Sequence, residues 1–202
     1  EKAVGENLAT KVLPSPMIED IERAKDVYFK LRDVYDEKNS STIATLISDL
    51  ILSEEDVPQT EIDALVANGD EAVDALIKLI DSSMFYNKLY PGYGRAPGYA
   101  ATVLAKIGNP KAIYHIFAAL GQDSFETEEA FLSALKALGS ESRSFLLKRL
   151  QEKPYSRDNE HAAIALAMFL PDEEIKKAAL KLLEDKDTLK HESFSEYLKC
   201  IT

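Results

Sequence analysis

The sequence predicts an all-α fold in which pairs of helices repeat along the chain and stack into a solenoid. Apolar residues recur at steps of three and four along most of the 202 residues, as on the buried face of a helix. Strand signals are scarce, because the pair Asn68-Gly69 is not flanked by alternating apolar residues. Helix-breaking residues also recur regularly, since Gly108, Gly139 and Pro171 lie 31 and 32 residues apart. Such a spacing indicates a structural repeat.

Two helices are predicted before the repeats begin. The run Ser40-Ser41-Thr42 is suited to capping the second of them, and Pro58 ends the acidic turn that follows it. We therefore divide the chain into an N-terminal helical region, residues 1–58, that is only loosely repeat-like, and a repeat region, residues 59–202. The first helix has one apolar face, formed by Ile18, Ile21, Ala24, Tyr28, Leu31 and Tyr35.

Within the repeat region Gly69, Gly108 and Gly139 each end a first helix, Pro171 stands in the same place in the next repeat, and an amphipathic second helix follows. Four first helices are predicted between Gly98 and Thr202, and each but the last has its second helix. Because no partner helix follows the last one, we expect Phe194, Leu198 and Ile201 to be exposed and the last repeat to be truncated. The first residue is Glu1 rather than Met, from which we expect a processed or excised N-terminus.

Residues 100–113, with the sequence AATVLAKIGNPKAI, resemble the HEAT-like repeat family, and in particular the short repeats of the bacterial phycobilin-lyase type. Residues 69–76, GDEAVDAL, match the turn and second helix of another copy. The resemblance extends over about residues 60–202 and implies a right-handed α-α superhelix. It says little about function, because solenoids serve many unrelated roles. A compact, irregular helical bundle is the alternative fold.

Composition excludes several classes of function. The chain has 35 acidic and 24 basic residues, a net charge of −11, which argues against nucleic acid as a partner. One cysteine excludes an intrachain disulfide framework and a multi-cysteine zinc site. No apolar run has the length of a membrane span, and we expect a cytoplasmic protein.

The sequence contains no recognisable catalytic or metal site. HEAT-repeat hydroxylases bind iron through His-Glu pairs at the starts of first helices, and of those positions only His161 carries the required residue here. HEAT-like DNA glycosylases use a basic, aromatic surface, whereas this chain is acidic and lacks tryptophan. His115 and Cys200 are interpreted as ordinary helix residues. We predict no tightly bound metal ion and no cofactor.

One segment departs from the repeat. Gly69 and Gly108 lie 39 residues apart, so seven or eight residues are inserted, and the segment 82–97 is rich in aromatic side chains. If this insertion binds a partner, its tyrosines should be partly exposed and its arginine should have no internal carboxylate partner. If it fills a gap between repeats, the rings should be buried. The candidate partner-binding residues are Tyr86, Tyr90, Tyr93, Arg95 and Tyr99.

These observations favour a non-catalytic protein-interaction or scaffold module that binds a protein or peptide on a curved helical surface. The negative field of the chain favours a basic partner. The alternative is a lyase, or a lyase-like chaperone, that acts on a chromophore (bilin) protein. That alternative follows from the family resemblance alone.

Overall fold

The computed structural model describes residues 12–36, 41–53, 55–122 and 125–202. In these residues the chain forms eleven α-helices and two short 3-10 turns and contains no strand. None of the described helices is both long and apolar enough to cross a membrane. The α-helices are α1 (Ser15–Asp33), α2 (Thr42–Leu52), α3 (Gln59–Ala67), α4 (Asp70–Asp81), α5 (Ala96–Ile107), α6 (Ala112–Ala118), α7 (Phe125–Ala137), α8 (Gly139–Gln151), α9 (Arg157–Ala167), α10 (Glu173–Leu183) and α11 (Glu192–Cys200).

The helices from α3 onward stack as pairs in two layers. The first helices α3, α5, α7, α9 and α11 each contact the next in order. Among the second helices α4 contacts α6 and α8 contacts α10, and the Phe117 ring of α6 meets the Phe145 ring of α8 with 5.3 Å between centroids. Each pair is tied to its neighbour by these contacts, as in a solenoid. The predicted all-α solenoid is therefore confirmed, whereas the right-handed superhelix stays a prediction.

One continuous apolar core runs through the stack. It extends from Leu50 in α2 to Ile201 after α11, so α2, which precedes the predicted boundary at residue 58, shares the core of the repeats. The division of the chain at that boundary stays a prediction. Small residues of the first helices, among them Ala100, Ala101 and Ala134, are buried where these helices meet, and they permit close approach of the backbones.

The helices begin and end near the capping and helix-ending residues that the sequence predicts. Ser41 caps α2, since its side-chain oxygen accepts a hydrogen bond from the Ala44 amide at 3.1 Å. Gly108 follows α5 with a φ of +79°, and Gly139, the first residue of α8 and two residues past the end of α7, has a φ of +71°. These left-handed conformations confirm both glycines as the ends of first helices.

The prediction that the last helix exposes its apolar residues is wrong. Phe194, Leu198 and Ile201 are all buried, because α11 lies across α9 and α10 and turns its apolar face toward both. Its outward face carries polar side chains, including Glu196 and Lys199.

Helix α1 is packed less closely than any repeat helix described here. Ala24 is the one buried residue among the 19 residues of α1, and the contacts of this helix are few and lie mainly on α2. The tyrosine hydroxyl of Tyr35, just beyond α1, donates a hydrogen bond to Asp49 of α2 at 2.5 Å. Much of the apolar surface of α1 is therefore left facing solvent.

Candidate functional site

The insertion between α4 and α5 folds back on itself in a tight path. It begins with a 3-10 turn, Ser83–Tyr86, and then passes through three consecutive left-handed residues, Gly92, Tyr93 and Gly94, with φ between +52° and +84°. A Cβ at Gly94 would lie 2.8 Å from the Tyr86 carbonyl oxygen, so only glycine fits this close approach. The backbone of the insertion is thus fixed from within.

Tyr86 is partly buried and packs against the core of the molecule. Its hydroxyl donates a hydrogen bond to the Ile80 carbonyl oxygen at 2.8 Å, and its ring meets Phe131 edge-on with 6.3 Å between centroids. Burial raises the pKa of the Tyr86 hydroxyl well above its ordinary value. Tyr86 therefore packs between α4 and α7 while keeping part of its surface exposed, and its role in partner binding stays a prediction.

The two tyrosines at the turn have different environments. Tyr90 is 8% exposed, whereas Tyr93 is 57% exposed. Tyr90 does not have the partial exposure expected of a residue in a binding insertion, and it lines a groove together with residues of α1 and α2. Its role in partner binding stays a prediction. Tyr93 has the exposure expected of a binding residue. One part of the insertion, at Tyr90, is thus buried, whereas another part, at Tyr93, is exposed to solvent.

The exposed part of the insertion forms one wall of a groove against α1. The groove has a volume of about 300 Å³, at the lower end of the range for ligand pockets. Tyr93 and Leu89, both largely exposed, face α1 across it, and the Arg23 guanidinium of α1 interacts with Tyr90. The residues that line the groove are Ile21, Ala24, Lys25, Tyr28, Ile51, Leu52, Leu89, Tyr90, Pro91, Gly92 and Tyr93.

Arg95 and Tyr99 lie on the other side of the insertion, at the start of α5. The Arg95 guanidinium lies 3.3 Å from the Asp56 carboxylate, which contradicts the expectation that it has no internal carboxylate partner. The Tyr99 hydroxyl donates to the Asp56 carbonyl oxygen at 2.7 Å. Both contacts tie the loop before α3 to α5. They border a second cavity of about 450 Å³ between α3, α5 and α7, lined also by Ile62, Gly98, Thr102, Lys106 and Ala130.

The histidines form no catalytic or metal-binding cluster in the described part of the chain. His115 Nδ1 lies 3.0 Å from both carboxylate oxygens of Asp81, a partner that the sequence analysis missed. The two residues are 34 positions apart, close to the repeat length, so the repeat offset is the signal that could have found the pair. Burial, followed by the nearby charge of Arg157, lowers the pKa of His161. No group of three His, Cys, Asp or Glu side chains in these residues is placed to hold a metal ion.

Comparison with known families agrees with this geometry. Residues 95–167, from the residue before α5 to the end of α9, match the family model described as HEAT repeats. This segment is HEAT-like in its fold. The predicted resemblance is therefore confirmed at that level, and Arg95 and Tyr99 lie inside the HEAT-repeat match whereas Tyr86, Tyr90 and Tyr93 precede it. No curated protein and no solved structure matched the chain.

Sequence reasoning found one wall of the groove and missed the other. It identified Ile21 and Tyr28 as members of an apolar helix face, which suggested burial, and the structure leaves both more than a third exposed. Leu89 and Lys25 carried no signal of their own. The groove arises because α1 packs against the insertion, a contact between distant parts of the chain that periodicity does not report.

Proposed function

We propose that the chain is a non-catalytic protein-interaction module that binds its partner at the groove between α1 and the insertion. The observation that carries this proposal is the continuous apolar surface formed by Ile21, Tyr28, Leu89 and Tyr93, all more than a third exposed. Contiguous exposed apolar surface of this kind is typical of interaction sites. Tyrosine is also enriched among residues that dominate binding energy.

The HEAT-like architecture supports the same proposal. A stack of helix pairs with one continuous core presents an extended surface, on which inserted segments commonly form the binding face. The net charge of −11 favours association at long range with a partner of positive net charge. The residues at the contact, rather than the net charge, decide how closely such a partner fits.

Capture of partners from a cell extract, followed by measurement of their affinity, tests this proposal. Replacing Leu89 and Tyr93 by alanine removes two exposed side chains, so the melting temperature should change little. The affinity of a genuine partner should fall by about 2 kcal/mol or more. The matched control replaces Tyr114 and Leu180, equally exposed apolar residues on α6 and α10, and should bind as the wild type does.

Two results would contradict the proposal. Partners retained at full affinity by the Leu89 and Tyr93 variant would place the interaction elsewhere on the molecule. A chromophore protein whose bilin attachment depends on the chain would instead favour the lyase alternative, and expression of the chain together with a bilin and an antenna protein would reveal it.

A further inference from the structure

The exposed face of α1 has the spacing of a coiled-coil seam. Starting at Met17, apolar residues follow at steps of four, three, four, three and four, at Ile21, Ala24, Tyr28, Leu31 and Tyr35. This alternation is the heptad pattern by which one helix packs along another. Met17, Ile21, Tyr28 and Tyr35 are each more than a third exposed. The seam therefore has no covering helix along much of its length in the described residues.

The two flanks of this seam differ in charge. On one flank lie Val27 and Val34, which are half-buried. On the open flank lie Lys25 and Arg32, one heptad apart, and both are exposed. Residues at these flanking positions choose the partner helix through charge.

Neither cation on the open flank is neutralised by a carboxylate within the described chain. The Lys25 ammonium lies 5.8 Å from the centre of the Phe29 ring and the Arg32 guanidinium lies 5.9 Å from that of Tyr28. Arg143 gives the contrast, since its guanidinium contacts Asp172 and Glu174 at 2.7 and 2.8 Å. Lys25 also lines the groove, so its charge is available to whatever occupies that groove.

From this geometry we infer that the groove receives an amphipathic helix of the partner protein whose apolar seam is flanked by glutamate or aspartate. The apolar side chains pack along Ile21, Tyr28 and Tyr93, and the acidic residues meet Lys25 and Arg32. This inference rests on the proposed function, to which it adds the chemistry of the bound segment. The recognition mode is that of an amphipathic helix lying in an apolar groove.

Two synthetic peptides test the inference. Each is about three heptads long with leucine along its seam, and they differ only in carrying glutamate or lysine at the flanking positions. Fluorescence anisotropy measures the binding of each to the full chain. The acidic peptide should bind the wild type about tenfold more tightly than its lysine twin, because two charge pairs form at the rim.

Variants of the flank make the test specific. Lys25→Glu combined with Arg32→Glu should reverse the order of the two peptides, and Lys25→Gln combined with Arg32→Gln should nearly abolish the difference. The control, Lys30→Glu with Lys136→Glu, makes the same change of net charge at exposed positions away from the seam and should keep the wild-type order. Circular dichroism and thermal melting establish that each variant folds.

The inference is overturned if neither peptide binds, if both bind the wild type equally, or if the charge-reversed variant keeps the wild-type order. None of these results contradicts the proposed function if cellular partners still lose affinity when Leu89 and Tyr93 are replaced. If cellular partners bind the Leu89 and Tyr93 variant as well as the wild type while the acidic peptide still binds more tightly than the lysine peptide, the proposed function is contradicted. The preference of the groove for an acidic helix then still holds.

Discussion

Gly108 has a left-handed backbone that side chains with a Cβ rarely adopt, with a φ of +79° at the end of α5. A Cβ placed there meets no atom within 4 Å, so a substitution would act through the backbone alone. Gly108→Val should lower the free energy of unfolding by about 1–2 kcal/mol. Urea unfolding followed by circular dichroism measures this loss.

Asparagine at the same position provides the control for this prediction. It tolerates the left-handed region better than other residues with a side chain, so Gly108→Asn should cost less than Gly108→Val. Equal stability of the valine variant and the wild type would show that α5 does not need this conformation to end.

The tyrosines of the insertion show how far single residues could be predicted. Their enrichment marked the segment correctly as unusual, but sequence alone left a binding surface and a core plug equally open. The structure separates them, since the Tyr86 hydroxyl donates a hydrogen bond to the Ile80 carbonyl oxygen while the Tyr93 side chain is exposed. That division depends on where Phe131 and α1 lie in space, and local sequence carries no record of either.

At the scale of the element, the contact between α8 and the start of α10 couples neighbouring repeats. Arg143 on α8 donates two hydrogen bonds of 2.7 Å to Asp172, and Asp172 also caps α10 by accepting from the Glu174 and Ile175 amides. Arg143, followed by the Ile175 amide, lowers the pKa of Asp172 to about 2. The Asp172 carboxylate thus both caps the start of α10 and forms an ion pair that joins two neighbouring repeats.

Asp172→Asn tests the bridge and leaves the cap in place, because asparagine is also a good N-cap. A carboxylate with a depressed pKa stabilises the fold above its unfolded pKa of about 4. That stabilisation is lost as the pH falls through about 2. The wild type should therefore be more stable than the variant at neutral pH, and the difference should shrink between about pH 4 and pH 2.

Denaturant unfolding across this pH range measures the difference. Glu173→Gln, in the same turn and exposed, controls for the loss of one negative charge and should be close to the wild type throughout. A gap between wild type and Asp172→Asn that does not vary with pH would assign the effect to something other than the ionised pair.

Helices were more predictable than their packing. The apolar periodicity and the helix-ending residues located the repeat helices, because every such helix needs an apolar face and a residue that ends it. The same signals did not predict how exposed the apolar residues of two helices are. Those of α11 are buried against α9 and α10, whereas several of those on α1 are exposed. In both cases the outcome depends on which surfaces a neighbouring helix covers.

At the scale of the whole molecule, a single core extends from α2 to the residue after α11. Phe194, at the C-terminal end of this core, is fully buried and its ring centre lies 5.2 Å from that of Tyr155. Phe194→Ala should therefore reduce the free energy of unfolding by about 3–5 kcal/mol. Because the chain has no tryptophan, circular dichroism is the suitable signal.

Tyr197→Ala, on the same helix but with an exposed ring, is the matched control and should cost little. If the two variants were equally stable, α11 would contribute no packing to the stack, and the core would end at α10 instead.

The insertion has a consequence for anyone who wishes to engineer this array. Solenoid repeats are usually treated as interchangeable modules, to be deleted, duplicated or grafted at will. Excising the inserted residues to restore a regular spacing would also remove the Tyr86 ring from its contact with Phe131 and the buried Tyr90 ring from the groove beside α1. A shortened or permuted design should therefore keep α4, the insertion and α5, residues 70–107, together as one unit.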